Sequence, residues 1–130
     1  MIEVIETFLV GSPNLISSDS INSTYAVVFE DDGETGYFYA LDRSLGDKSV
    51  LDALHVYDVK SVIDLAKESR FIITWSPDGM KVLLSINENP HAAFNFQERR
   101  GYCRNNYPSP NPEFTNHEHE WSDEVLKYFK

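Results

Sequence analysis

The sequence predicts an α+β fold: an antiparallel meander of about five or six strands, with one central and one C-terminal helix packed on it. Two hairpin signatures and one helical stripe carry that prediction. Residues 24–42 set strand-forming runs on either side of an acidic turn, Glu30-Asp31-Asp32-Gly33-Glu34, where Asp and Gly suit a chain reversal. Residues 71–75 and 81–86 flank Ser76-Pro77-Asp78-Gly79. There proline presets the first corner, Asp suits the second, and Gly can take positive φ at a closing bulge. Near the chain end, Trp121, Val125 and Phe129 recur at four-residue spacing, a stripe suited to docking a helix on the sheet.

Taken in order, residues 2–10 alternate imperfectly between apolar and polar until Gly11-Ser12-Pro13-Asn14, which reads as an edge strand. Residues 14–23, NLISSDSINS, are small and polar and read as a loop. Ala26-Val27-Val28-Phe29 is apolar on both faces, as a central strand would be, and Tyr37-Phe38-Tyr39-Ala40-Leu41 is its partner. Residues 42–48 form a polar turn around Gly46. For residues 50–57, VLDALHVY, strand and helix compete, because Leu51, Leu54 and His55 also fit helical spacing. Val56 and Tyr57 favour the strand.

Residues 58–69 read as the central helix. Asp58 is its N-cap, Val59, Val62, Ile63 and Ala66 its apolar stripe, and Lys60, Asp64, Lys67 and Glu68 its wet face. After the second hairpin, residues 87–90 turn the chain into a last strand over 91–96. Residues 97–116 read as irregular, broken by Pro108, Pro110 and Pro112, and hold the basic cluster Arg99, Arg100 and Arg104. The final helix spans 115–129, with Thr115 and Glu118 as a capping box and Lys127 and Lys130 at its C-terminal end.

At 130 residues the chain suits a single domain with a real core, and 42% hydrophobic and 13% aromatic content argues against disorder. The formal net charge of −10 repels phosphate backbones and anionic membranes, so neither nucleic acid nor membrane is an expected partner. A basic protein partner is electrostatically favoured, although solubility alone accounts for such a charge. The single cysteine, Cys103, excludes an internal disulfide. The opening MIEVIETFLVG lacks a basic signal-peptide region, and no run reaches the roughly 18 apolar residues of a membrane span. A cytoplasmic location is the expectation.

Several residue groups invite a chemical reading. Glu30, Asp31, Asp32 and Glu34 lack the alternate ligand spacing of a calcium loop and suit an exposed hairpin tip, or a recognition loop for a basic partner. In His117-Glu118-His119-Glu120 the two histidines would point about 200° apart on a helix, which does not converge on one ion. With only His55, His91 and Cys103 elsewhere, no metal site and no cofactor is expected. Arg100 and Arg104 beside Cys103 could lower its thiol pKa, but no nucleophile motif surrounds it and a structural cysteine is the plainer reading. Arg99, Arg100 and Arg104, mixed with Tyr102 and Tyr107, form either an anion- or partner-binding patch or a set of stems covering apolar surface. A dinucleotide or Walker motif is absent from the sequence.

The stretches VVFEDDGETGYFYALD, LDALHVYDV and ITWSPDGMKVLLSINENPHAAFNF resemble a small bacterial family catalogued only as a domain of unknown function. The resemblance covers most of the chain; it implies no activity and no functional residue. The residues themselves favour a non-catalytic interaction protein, similar in character to acidic immunity or antitoxin-like inhibitors of basic partners. The alternative is a small-molecule or enzymatic pocket between sheet and helix lined by His55, Tyr57, Trp75 and His91. A structural homodimer is the third reading.

Overall fold

The computed structural model describes residues 2–62, 66–109, 111–115 and 117–129. Nine strands are present among them: β1 (Ile2–Phe8), β2 (Asn14–Asp19), β3 (Tyr25–Asp31), β4 (Thr35–Asp42), β5 (Val50–Asp58), β6 (Ser69–Trp75), β7 (Lys81–Ile86), β8 (Asn89–Asn95) and β9 (Arg100–Cys103). They form a five-stranded sheet in the order β1-β6-β7-β8-β9 and a four-stranded sheet in the order β2-β3-β4-β5. Every pairing between these strands is antiparallel.

The α+β expectation is therefore corrected to a two-sheet β fold. The described residues of 58–69 do not form the expected α-helix. β5 continues through Asp58, a single 3-10 turn covers Val59–Ser61, Val62 returns to extended backbone, and β6 begins at Ser69. The Val59 amide bonds the Glu34 carbonyl at 2.8 Å, and its side chain sits where a Cβ on Gly11 would meet it at 2.9 Å. The valines are thus spent on packing a crossover between the sheets. β-branched residues give up little by leaving the helix. Ile63 and Asp64, assigned to that helix, lie outside the described residues, as do Pro110 and Lys130.

The C-terminal helix is also replaced. Thr115 Oγ1 accepts the His117 amide, Glu120 bridges Cys103 as a short parallel pair, and among the described residues of 115–129 only Asp123–Phe129 winds, as 3-10 turns. Its apolar residues still dock: Val125, Trp121, Leu126, Tyr128 and Phe129 cover the row Leu83, Ala93 and Tyr102 on the outer face of the larger sheet. Two further strands stand where loops were expected. β2 was hidden because its inward Ser18 is polar; its hydroxyl accepts the indole N–H of Trp75 at 2.8 Å. β9 lies within the proline-rich stretch.

Between the sheets, aromatic rings fill the core. Phe8 stacks on Phe71 at 4.1 Å, Phe29 tilts against Phe71 at 5.1 Å, and Phe38 of one sheet stacks on Phe94 of the other at 5.3 Å. Leu54, Ile73 and Leu84 are fully buried among them. Burying such side chains is the main source of stability, at about 1.5–3 kcal/mol each.

At one side of the sandwich β5 approaches β9, and the chain after β9 straps the gap. The Cys103 amide donates to His119 O at 2.8 Å, the His55 amide to Tyr107 O at 2.8 Å, and Asn111 Nδ2 to Leu51 O at 2.7 Å. This strap brings Asn105 and Tyr107 to the outer face of the smaller sheet.

Candidate functional site

Alternation along β4 turns Gly36, Phe38 and Ala40 inward and leaves Tyr37 and Tyr39 half-buried on the outer face. The two phenol rings stack at 5.9 Å. β5 places His55 directly opposite Tyr37. Cross-strand neighbours on one face touch, and here the imidazole meets the Tyr37 ring edge-on, with centroids 5.3 Å apart and planes at 74°. From the strap, Tyr107 meets the same imidazole at 5.6 Å and 88°.

Hydrogen bonds fix the His55 ring. Asn105 Oδ1 accepts the Tyr107 amide at 3.2 Å and the Cys103 thiol at 3.4 Å, which turns Asn105 Nδ2 toward His55 Nδ1. Because that nitrogen must accept, the ring proton resides on Nε2 and is donated to Asp58 Oδ1 at 3.1 Å. Thr35, Tyr37, His55, Asp58, Asn105 and Tyr107 line an open hollow of about 550 Å3. A second hollow of about 480 Å3 shares Thr35 and Asp58 with it and extends to Gly33, Glu34, Val59 and Lys60.

The face is electronegative. Burial, then Tyr107, then the carboxylates of Asp58 and Asp32 raise the Tyr37 phenol above its ordinary value. Burial, then Glu30, Tyr37 and Asp32 do the same to Tyr39. Negative charge thus lies close to both rings, and both phenols stay protonated at neutral pH.

Of the acidic turn, Glu30, Asp32 and Glu34 are exposed but Asp31 is buried. Asp31 Oδ2 accepts the Gly11 amide at 2.7 Å and the Tyr57 hydroxyl at 2.6 Å, while Oδ1 accepts the Gly33 amide at 2.8 Å. It is a structural knot between two turns and β5. Asp32 closes its own turn, accepting the amides of Thr35 and Glu34, and these bonds hold its carboxyl below the usual carboxylate range.

The remaining predicted site residues scatter. Trp75 is in the core, bonded to Ser18. Tyr57 reaches Asp31, and burial followed by that hydrogen bond drives its phenol far above the ordinary value. His91 lies on β8, where burial and then Arg104 lower its pKa. Only His55 of the four lines the hollow.

The arginines divide as well. Arg99 donates to the carbonyls of Phe114 and Glu113, Arg100 lies over Tyr102 at 4.9 Å, and Arg104 donates to Pro90 O while covering Trp121 at 4.2 Å. Cys103 is fully buried, and burial pushes its thiol up rather than down. His119 points into the protein and His117 is exposed, so the two diverge.

Asn105, Asp58, Tyr37 and Tyr107 escaped the sequence reading as a group. The alternation of Tyr37-Phe38-Tyr39 carried part of the signal, since period-2 spacing sends two tyrosines to one face.

Among the described residues no helix is long and apolar enough to cross a membrane. A family model described as an uncharacterized protein conserved in bacteria (DUF2251) matches residues 8–130. A protein of Haemophilus influenzae, itself named only as an uncharacterized protein, is 44% identical over 106 residues. The match takes in 81% of this chain and 65% of that relative's length. No solved structure matches.

Proposed function

This chain belongs to the bacterial family of uncharacterized conserved proteins (DUF2251), and for it we propose a non-catalytic role: binding a basic protein through the outer face of β4 and β5. The observation that carries the reading is the placement of Tyr37, Tyr39 and Tyr107 among Glu30, Asp32, Glu34 and Asp58 on one side of the smaller sheet. Tyrosine faces and carboxylates attract the same chemistry, the cationic side chains of Lys and Arg. The net charge of −10 adds long-range steering toward a basic surface and away from nucleic acid. An inhibitor that masks a cationic surface works this way.

Other observations favour binding over catalysis. His55 has both ring nitrogens engaged, and the Cys103 thiol is buried and bonded to Asn105 and to the Tyr107 carbonyl. Phenylalanine rings occupy the space between the sheets.

The test compares the wild-type protein with the variant Glu30→Gln/Asp32→Asn/Glu34→Gln against a basic partner captured at low salt. Asn at 32 keeps the turn-closing acceptor. Binding should fall several-fold in the variant, and wild-type binding should weaken as salt rises. A partner held equally by wild type, by this variant and by Tyr107→Ala would refute the assignment of the face.

A further inference from the structure

Resting on that reading of the face, we infer that the hollow between Tyr37 and Tyr107, floored by His55 and closed by Asp58, receives one arginine side chain of the partner. Four features of the hollow select that group.

The first is shape. Both tyrosine rings line the hollow and stand steeply to the His55 plane, at 74° and 88°, so two aromatic rings rise from its floor. A planar guanidinium stacks on the face of such a ring, whereas a compact ammonium does not. Tyr107 is 56% exposed, which leaves its ring open to a stacking partner.

The second is the acceptor. Asp58 uses Oδ1 to take the His55 proton, and Oδ2 accepts no bond from any described residue. The side chain is 46% exposed. An arginine can present its N–H edge to that oxygen while its face rests on a tyrosine.

The third is the floor. Asn105 Nδ2 holds His55 Nδ1 and Asp58 Oδ1 holds Nε2, so both ring nitrogens are already engaged beneath the hollow. Among the described residues no Lys or Arg lines the hollow that a cation would enter. Lys60 lines only the neighbouring hollow.

The fourth is rigidity. The Tyr107 carbonyl holds the His55 amide, and the Tyr107 amide holds Asn105 Oδ1. The slot is therefore built before its ligand arrives, which lowers the ordering cost of binding.

The test titrates the whole protein with N-acetyl-arginine amide and, separately, N-acetyl-lysine amide, following the ring resonances of Tyr37, His55 and Tyr107 by NMR. Saturable shifts of those rings are expected, with arginine several-fold tighter than lysine. Tyr107→Ala, at an exposed position, should weaken arginine binding about three- to tenfold. Asp58→Asn keeps an acceptor for His55 but removes the charge, and should weaken it about tenfold. Folding of each variant is verified from the dispersion of its amide spectrum. Absent shifts, equal response to lysine, or unchanged affinity in both variants would overturn the slot. If the arginine probe fails while a basic partner still binds with salt sensitivity through the acidic turn, the slot falls and the face stands. If that partner binding also ignores the face variants, both fall.

Discussion

His119 Nε2 lies 2.7 Å from Asp52 Oδ2, and both side chains are buried where the strap crosses β5. His119 Nδ1 lies 2.6 Å from the Pro108 carbonyl. Both ring nitrogens thus have an oxygen partner, and the ring is held at its two ends. Asp52 in turn fits because Gly101 has no side chain; a Cβ there would stand 3.1 Å from Oδ2. Deleting one partner strands the other without compensation. His119→Ala or Asp52→Ala is expected to cost about 3–5 kcal/mol in urea unfolding. Asp52→Asn keeps an acceptor and should cost less. Hydrogen exchange of the His55 amide, which the strap protects, should quicken in the same order. Equal unfolding midpoints for wild type and His119→Ala would show that the pair does not hold the seam.

The turn end of the smaller sheet depends on Gly36 for a different reason. A Cβ there would meet Tyr57 Cζ at 2.7 Å and Phe29 Cζ at 2.9 Å. The missing side chain is what lets the Tyr57 ring lie across β4 and reach Asp31. Gly36→Ala should therefore destabilise by about 1–3 kcal/mol through overpacking. Tyr57→Phe removes only the hydroxyl and should cost about 1.5 kcal/mol, the loss of one bond to a carboxylate. Since both changes break the same contact, the double variant should cost less than their sum. Strict additivity would mean that Gly36 acts on something other than Tyr57.

These two sites mark where the sequence stops being legible. The hairpins around residues 31–34 and 76–79 follow from local chemistry, and Gly79 does take positive φ, +71°, as the closing bulge requires. Helical spacing misled at both helices for one physical reason: apolar residues at three- and four-residue intervals also serve an extended or 3-10 chain that packs on a sheet. Val59 packs on Gly11, and Val125 on the outer row of the larger sheet. His119 could not be seen as a core residue, because its partner Asp52 is 67 positions away. Asp31 shows the same limit within the candidate site. Glu30 and Asp32 beside it are exposed, and long-range bonds to Gly11 and Tyr57 tie it to the interior. The tyrosine pair was legible by alternation, but Asn105 and Tyr107 reach the face through the strap.

Acid should loosen the second hairpin. Asp78 has its carboxyl held down to about 2 by a hydrogen bond from Lys81, then by Ser76 and the Met80 amide. A depressed folded-state pKa gives stability that is complete above the ordinary value of 3.8 and is lost as pH falls from there through about 2. Half of the Asp78 side chain is exposed, so solvent screening limits the effect to about 1 kcal/mol or less. Asp78→Asn should lower stability at pH 7 and flatten the decline between about pH 4 and 2. Urea midpoints of both proteins across that range provide the check, and parallel curves would remove Asp78 as a contributor.

Cys103 should be silent toward thiol reagents in the native protein. The thiolate is the reactive form, and burial raises the thiol pKa against the smaller opposing pull of backbone amides at Tyr107, Asn106 and Asn105. The S–H also donates to Asn105 Oδ1 and Tyr107 O, both 3.4 Å away, within the part of the strap that forms the aromatic hollow. A disulfide reagent therefore reaches the sulfur only when the strap or the whole domain opens. Labelling in buffer should be slow, should become complete in denaturant, and should accelerate in Asp52→Ala, where the strap has lost its anchor. Fast labelling of the folded wild-type protein would mean that the strap opens freely. A rate unchanged by Asp52→Ala would instead place the protecting barrier in the sheet itself, in the bonds that join β8 to β9.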